Sequence, residues 1–174
     1  MRHLLFALAL AGVSVPLGAM TIDLNTINEK GEQGPAGMVR AEDSAHGLLL
    51  TPRLTGLPPG AHGFHLHDHP DCAPAMNKGT MESGMAAAGH WDPQQTGRHA
   101  GPYGEGHQGD LPVLFVDADG RADTPVLAPR VKEADLQGHA LMIHAGGDTY
   151  RDDPALGGGG KRIACGIVQI LPRE

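Results

Sequence analysis

Hydrophobic and polar residues follow the period of β-strands over most of the chain. The segment TIDLNTI (21–27) alternates apolar and polar positions, and AGMVRAED and HGLLLTPRL follow it after turn residues. Similar runs occur in GDLPVLFVDADGRADTPVLA, which has a tight DADG turn, and in HALMIHA and RIACGIVQIL. Such runs, bounded by Gly, Pro, Asp and Asn, predict antiparallel strands. About eight strands without a repeat predict an all-β sandwich or flattened barrel.

Two segments lack this pattern. Residues 68–109 are rich in Gly, Pro, His and Met, and residues 145–161 end in GGGG. Long loops in a compact domain usually carry function or are disordered. A long helical period is absent from the sequence, although VKEADLQ suits one short helical turn. We therefore expect the chemistry of the protein to lie in or beside the two loops.

Composition supports one turn-rich domain. The chain has 174 residues, 40% of them hydrophobic, with Gly 26, Pro 14 and only 3% aromatic residues, so the core is expected to be aliphatic. The net charge of −7 argues against nucleic acid or an anionic membrane as a partner. A small anionic substrate remains compatible, because a local positive field can oppose the global charge.

The N-terminus has the form of a secretory signal. Arg2 precedes an apolar run, 4–17, that is short for a membrane span. Cleavage after Ala19 would give a signal peptide, 1–19, and one domain, 20–174. The alternative is an apolar N-terminal strand or core helix. Export would place the protein in an oxidising compartment, where we expect Cys72 and Cys165 to pair. Two free thiols, or thiolate metal ligands, are the alternative to that disulfide.

Histidines are unusually dense. In GFHLH the strand period places His65 and His67 on one face, with Phe64 and Leu66 on the other. Two imidazoles on one face make half of a metal site; two surface histidines are the alternative. Cupins also carry His-x-His on a strand, but the following DHPDC lacks their usual glutamate, so a single-metal enzyme of that kind is a weaker interpretation.

A second cluster lies in GHWDPQQTGRHAGPYGEGHQGD. It offers three imidazoles and a carboxylate, which fill a tetrahedral shell and suit structural Zn²⁺: His90, His99, His107 and Asp110. A solvated histidine-rich loop is the alternative. In LMIHAGGD, His144 falls near a strand end and Asp148 just beyond it. Four or more nitrogens in a tetragonal array favour Cu(II).

These segments together resemble the Cu/Zn superoxide dismutase family, in particular its bacterial periplasmic branch. Four blocks carry the resemblance, in the family's order: GLLLTPRLTGLPPGAHGFHLH, AAAGHWDPQQTGRHAGPYGEGHQGDLPVL, ALMIHAGGDTY and GGGGKRIACGI. It runs from about residue 34 to the C-terminus. The resemblance implies the family's fold, an eight-stranded antiparallel Greek-key barrel or sandwich with two long functional loops, and agrees with the strand pattern.

The resemblance also implies roles for individual residues. Copper would be held by His65, His67, His90 and His144, and zinc by His90, His99, His107 and Asp110. His90 would bridge the two metals and carry a proton during turnover. Asp148 would link the copper ligand His65 to the zinc ligand His99. Arg162 would attract superoxide to the copper, and Cys72 and Cys165 would join the long loop to the last strand.

Several of these residues also have a simpler interpretation. Arg162 could be an ordinary surface arginine, and Asp148 could cap a turn. Loop packing is the simpler role for Met76, Met81 and Met85, with copper loading by their thioethers as the alternative. The remaining histidines are expected on the surface or in packing roles: His46, His62, His69 and His139. The block AAAGH has alanine where the family pattern leads us to expect glycine before Gly89.

The sequence thus predicts an exported dismutase that uses Cu²⁺/Cu⁺ and Zn²⁺ and takes superoxide as substrate in the periplasm. Neither nucleic acid nor membrane is expected as a partner, and both a monomer and a homodimer suit the family. Two other functions stay open: a copper or zinc buffer on the same fold without turnover, and a zinc hydrolase or other mononuclear enzyme that uses part of the histidine set. The full ligand set and Arg162 favour the dismutase.

Overall fold

The computed structural model describes residues 19–169. Its first five strands are β1 (Met20–Asn28), β2 (Gly31–Ser44), β3 (Gly47–Leu54), β4 (Gly60–His62) and β5 (Phe64–His67). The other six are β6 (Ala75–Asn77), β7 (Thr80–Glu82), β8 (Leu114–Val116), β9 (Val126–Ala128), β10 (Ala140–His144) and β11 (Arg162–Ile167). Three short 3₁₀ turns span Met85–Ala87, Glu133–Leu136 and Ala155–Gly158.

The strands form a curled antiparallel sheet. Seven of them hydrogen-bond in the order β5-β10-β11-β1-β2-β3-β9, while β4 pairs with β8 and β6 with β7. Only Gly63 separates β4 from β5, and its amide donates to Gly146 (2.8 Å) while its carbonyl accepts from His144 (2.8 Å). With β4 and β5 counted as one strand interrupted at Gly63, the body has the eight strands predicted from the sequence, and the all-β prediction is confirmed.

The core is aliphatic, as the composition predicts. Alternate positions of β1 point inward, so that Ile22 and Leu24 are buried while Asp23 is exposed. Phe64 and Leu66 of β5 are fully buried in the same cluster. The opposite face of β5 carries His65 and His67, which are also fully buried. One strand therefore anchors the core on one face and a polar centre on the other.

The long loops contain more structure than the sequence indicates. Within 68–109, β6 and β7 form a hairpin whose turn residues, Lys78 and Gly79, have φ of 48° and 89°. Positive φ at both central positions is typical of a type I′ turn. Strands of three residues are too short for a detectable alternation, so the pattern missed them. The two runs that flank the DADG turn do not pair with each other, since β8 joins β4 and β9 joins β3.

The predicted disulfide is present between Cys72 and Cys165. It joins the long loop to β11, and both cysteines are buried in a small cluster with Ile27, Ala87 and Met142. The predicted signal segment falls outside the described residues. Among residues 19–169, no helix combines the length and apolar character that a membrane crossing requires.

Candidate metal centre

Four buried histidines converge between the sheet and the long loop. They are His65 and His67 from β5, His144 from the end of β10, and His90 from the loop, and one ring nitrogen from each lies within 4.8 Å of the others. Strand pairing fixes the geometry, because His65 lies opposite Met142 of β10. An isolated bridge between His67 and His90 attaches the loop to β5.

Hydrogen bonds to backbone carbonyls determine which ring nitrogens are free to bind a cation. His67 donates from Nδ1 to the Ala88 carbonyl (3.0 Å), and His144 donates from Nδ1 to the Gly160 carbonyl (3.1 Å). Each ring then carries a lone pair on Nε2, because a neutral imidazole has only one N–H. The two Nε2 atoms face each other at 3.4 Å. Two facing lone pairs repel unless a cation lies between them, so the arrangement fits a metal ion.

A second group surrounds one carboxylate oxygen. The Nδ1 atoms of His90, His99 and His107 lie 2.9, 3.0 and 3.3 Å from Oδ1 of Asp110. The other oxygen, Oδ2, accepts from the amides of Ala100 (3.1 Å) and Gly101 (3.2 Å). The backbone therefore holds the carboxylate so that Oδ1 faces the three imidazoles. Three nitrogens and one oxygen make a closed tetrahedral set of the kind that binds structural zinc.

Asp148 connects the two groups. Its Oδ2 accepts from His65 Nε2 (2.7 Å), and its Oδ1 accepts from His99 Nε2 (2.7 Å) and from the Tyr150 amide (2.7 Å). Nδ1 of His65 is then buried with no hydrogen-bond partner, and Nδ1 of His99, although 3.0 Å from Asp110 Oδ1, makes no aligned hydrogen bond. An unsatisfied buried nitrogen costs about 1–3 kcal/mol, so two nitrogens without aligned bonds in one centre fit a role as metal ligands. Both donor sets fit metal ions, one at each end of the Asp148 bridge.

Burial keeps the first group uncharged. It lowers the pKa of His65, and it lowers the pKa values of His67 and His144 well below the usual range. Burial likewise lowers the pKa of His90 to about 3. Metal binding requires a lone pair and therefore a deprotonated ring. At neutral pH these four imidazoles are already in the state that a metal needs.

The carboxylates of the centre are ionised. Burial opposes ionisation, but the hydrogen bonds of His107 and His90 and the close approach of His99 (3.0 Å) outweigh it and hold the pKa of Asp110 far below its usual value. Bonds from His65 and His99 likewise lower the pKa of Asp148. Burial would lower the pKa of His99, yet its two carboxylate neighbours raise that pKa to about 9.

A cavity of about 450 Å³ leads from the surface to the first group of histidines. His90 and His144 line it, together with Arg162 and Lys161. The Arg162 guanidinium donates to the carbonyls of Gly84 (2.6 Å) and Ala88 (2.6 Å), which fix it at the cavity wall. Arg162 is thus an oriented, half-buried cation rather than an ordinary surface arginine. The cavity gives a small anion a route to the histidines.

Residue 88 has an unusual backbone. Ala88 adopts φ 62° and ψ −147°, a region that is essentially confined to glycine. Its carbonyl accepts both from His67 and from the Arg162 guanidinium. The family pattern led us to expect glycine at this position. The positive φ value explains why glycine would suit it.

We expect Ala88→Gly to stabilise the protein. Relief of a strain of roughly 1–3 kcal/mol exceeds the cost of about 0.4–1 kcal/mol for added freedom in the unfolded chain, so the expected gain is about 1 kcal/mol. Urea unfolding at fixed zinc and copper concentrations measures the change. The ordinary result of replacing alanine by glycine, a loss of stability, would show that Ala88 is not strained.

Among residues 19–169, the four remaining histidines have packing or surface positions, as predicted. His62 is buried and hydrogen-bonds the carbonyls of His144 (2.7 Å) and Pro58 (2.7 Å). His139 packs against Trp91 with ring centroids 5.1 Å apart. His46 and His69 are exposed. The sequence did not reveal the backbone carbonyls that orient the site, because any residue type can supply them.

Comparisons with known proteins agree with this geometry. The sequence model of the copper/zinc superoxide dismutase (SODC) family matches residues 33–168. A Cu-Zn superoxide dismutase of Haemophilus ducreyi is 54% identical over 136 residues, which cover 76% of this chain and 68% of that protein.

Solved structures give the same result. The Cu/Zn superoxide dismutase from Brucella abortus aligns with a TM-score of 0.85 at 41% identity, covering 87% of this chain and 99% of that one. The monomeric copper, zinc superoxide dismutase from Salmonella enterica aligns with a TM-score of 0.78 at 47% identity, covering 87% of this chain and 100% of that one. The chain therefore belongs to the copper/zinc superoxide dismutase family and groups with its bacterial members.

Proposed function

We propose that this protein dismutes superoxide in the bacterial periplasm, at a copper ion linked through a histidine to a structural zinc ion. The proposed copper ligands are His65, His67, His90 and His144, and the proposed zinc ligands are His90, His99, His107 and Asp110. The observation that carries the assignment is the pair of buried Nδ1 atoms without an aligned hydrogen bond, one on His65 and one on His99, in the two rings that Asp148 joins. Two donor sets that share His90 support two adjacent metals rather than one.

In this proposal copper has the redox role and zinc has a structural role. Copper would supply one-electron chemistry, since it alternates between Cu(II) and Cu(I), whereas zinc has no redox chemistry. The zinc set is closed, with Asp110 fixed by two backbone amides. The set lacks the open position that a zinc hydrolase requires, which argues against a mononuclear hydrolase. A metal buffer without turnover has no need of the cavity or of Arg162 at its wall.

Arg162 binds and orients the substrate in this proposal. Its guanidinium stays charged at any physiological pH, and it lies in a wall shared with His90 and His144. Two carbonyls already hold it in place, so little side-chain entropy is lost when an anion arrives. Local positive charge of this kind raises the association rate of an anion even when the whole protein is negative.

In this proposal His90 carries the proton. It belongs to both donor sets and also lines the cavity. Its Nδ1 faces Asp110 at 2.9 Å, which leaves Nε2 as the atom able to take a proton and deliver it to a reduced substrate. Peroxide leaves as H₂O₂, so each turnover needs protons at the cavity end of the site.

Periplasmic localisation is part of the proposal. The signal-like segment 1–19 and the single domain 20–174 stay predictions, since residues 1–18 are outside the described part of the chain. The disulfide supports an oxidising compartment. The monomeric relative from Salmonella enterica supports a monomer, which sedimentation of the mature protein would distinguish from a homodimer.

Stopped-flow decay of superoxide tests the function. Mature protein loaded with copper and zinc is compared with the same protein stripped by a chelator. We expect decay near the diffusional ceiling of about 10⁸–10⁹ M⁻¹s⁻¹ in the loaded sample and none above background in the stripped sample. Absence of acceleration, in a sample shown to contain both metals and the disulfide, would contradict the proposal and leave a metal-binding protein.

Substitution of Arg162 tests substrate guidance. We expect Arg162→Gln to lower kcat/KM about tenfold or more, because electrostatic steering contributes roughly 10–10³ to such rates. The dependence of kcat/KM on ionic strength should also weaken. Arg53→Gln is the matched control, since Arg53 is exposed on β3 and lies outside the cavity. Equal losses in the two variants would show that Arg162 acts only through net charge.

A further inference from the structure

A pair of methionines lies on the hairpin beside the cavity. Met76 of β6 and Met81 of β7 are directly opposite each other in the register of the two strands. Residues so paired present their side chains on the same face, with Cβ atoms about 4.5–5.5 Å apart. A side-chain bond between Asn77 and Glu82 (3.1 Å) and the type I′ turn hold the two strands together. The hairpin therefore keeps two thioethers within reach of one small ligand.

Much of the surface of this methionine pair is open to solvent. Met76 is 61% exposed and Met81 is 43% exposed, so loop packing, the role expected from the sequence, does not hold for Met76. Met85, the third methionine of the loop, is half-buried. Exposure of two large apolar side chains at adjacent positions loses the free energy that burial would give them. Their thioether sulfurs are the chemical feature that the exposed position leaves available.

One member of the pair, Met81, lines the cavity that leads to the proposed copper centre, and Met76 lies opposite it on the same hairpin. Met81 and Met85 line the same cavity as His90 and His144. Glu29 and Glu82 also line that cavity, and their negative charge partly offsets Lys161 and Arg162 for an arriving cation. The chain has two cysteines, and both are in the disulfide. Thioethers are therefore the soft ligands that the mouth of the cavity offers.

We propose that Met76 and Met81 form an entry site that captures Cu(I) at the mouth of the cavity and passes it inward to the histidines. The proposal rests on the copper assignment made above. Thioethers prefer Cu(I), whereas imidazoles bind both oxidation states of copper. Transfer is an exchange of sulfur ligands for nitrogen ligands, without change in the oxidation state of the metal. Met85, in the wall of the same cavity, is an intermediate ligand.

Anaerobic titration with Cu(I) tests the entry site. Mature protein with both metals in place is titrated against the chromophoric chelator bicinchoninate, and Cu(I) bound beyond the resident copper is counted. We expect one additional equivalent, with copper–sulfur scattering in the X-ray absorption spectrum. Met76→Leu/Met81→Leu should lose both signals, because leucine keeps the volume and removes the sulfur. Met38→Leu is the control, since Met38 is 42% exposed on β2 and outside the cavity.

A second measurement records the transfer of Cu(I) to the histidine site. Protein that holds zinc but no copper receives Cu(I) from bicinchoninate, and the rate of uptake is recorded together with the final copper content. We expect the double variant to take up copper more slowly than wild type and to reach the same final content. Equal rates, or an additional equivalent that survives the double substitution, would overturn the entry site.

The methionine entry site and the histidine copper site can be tested independently of each other. If His144→Ala loses the resident copper yet keeps the sulfur-bound equivalent, the entry site stands independently of the histidine centre. If wild-type protein binds copper at nitrogen ligands only, with no sulfur scattering at any Cu(I) ratio, the entry site is wrong and the copper assignment is unaffected. Because the difference between wild type and the double variant is measured in either case, failure of the histidine site does not prevent the test.

Discussion

The variant His144→Ala is expected to lose superoxide dismutation while keeping its zinc. His144 belongs to the first histidine group and not to the second, and it lines the cavity. Its Nε2 faces His67 Nε2 at 3.4 Å, so its removal takes away one side of the proposed copper site. We expect copper affinity to fall by more than the roughly 10–100-fold that loss of an outer partner costs.

We expect the rate of superoxide dismutation to decrease together with the copper content of the variant. We expect kcat/KM to drop from about 10⁸–10⁹ M⁻¹s⁻¹ to the level of uncatalysed decay, because the proposed copper ion supplies the one-electron chemistry. Stopped-flow kinetics give the rate, and atomic absorption gives copper and zinc separately. His69→Gln is the matched control, since His69 is exposed and outside both groups. A His144→Ala protein that holds zinc, lacks copper and still dismutes superoxide would refute the copper assignment.

Removal of the disulfide is expected to cost the most stability. Cys72 and Cys165 are 93 positions apart, and the chain-entropy relation gives about 4.7 kcal/mol for closing a loop of that length. That is a large part of the 5–15 kcal/mol, roughly, that holds a typical domain folded. Guanidinium unfolding of Cys72→Ala/Cys165→Ala, at a fixed excess of zinc, measures the loss. Fixed zinc is needed because metal that binds only the folded state adds to its apparent stability.

The same variant should also lose activity when it is folded. The loop that Cys72 anchors continues to Gly84 and Ala88, whose carbonyls hold Arg162. Without the bridge, we expect this loop to move more and kcat/KM to decrease. Wild-type protein treated with a reductant is the comparison, since it has open thiols but no substitution. A stability loss below about 1 kcal/mol would mean that burial and metals, rather than the cross-link, hold the loop.

The strands and the candidate metal ligands could both be predicted from the sequence, for different reasons. The alternation in GFHLH gave the two faces of β5, because the period of a strand is fixed by backbone geometry. The sequence analysis predicted every residue that the structure brings into the two donor groups, because histidine and aspartate can be recognised as possible metal ligands from residue type alone. The hairpin of Met76 and Met81 was not predicted, because three-residue strands give too little alternation to recognise.

Most features of the site that could not be predicted from the sequence are contacts with backbone groups. The carbonyls of Ala88 and Gly160 select the ring nitrogens of His67 and His144, yet carbonyls belong to all residues and leave no pattern. The exposure of Met76 likewise depends on how the hairpin lies against the cavity, which is a property of the tertiary structure.

The shared carbonyl of Ala88 links two properties that are usually adjusted separately. It accepts from the ring of His67 and from the guanidinium of Arg162, so one peptide group takes part both in orienting a proposed copper ligand and in holding the cation proposed to attract superoxide. A displacement of this peptide would move the imidazole and the guanidinium in the same event. Under the proposed function, we therefore expect substitutions that shift the backbone at Ala88 to change redox potential and substrate capture together.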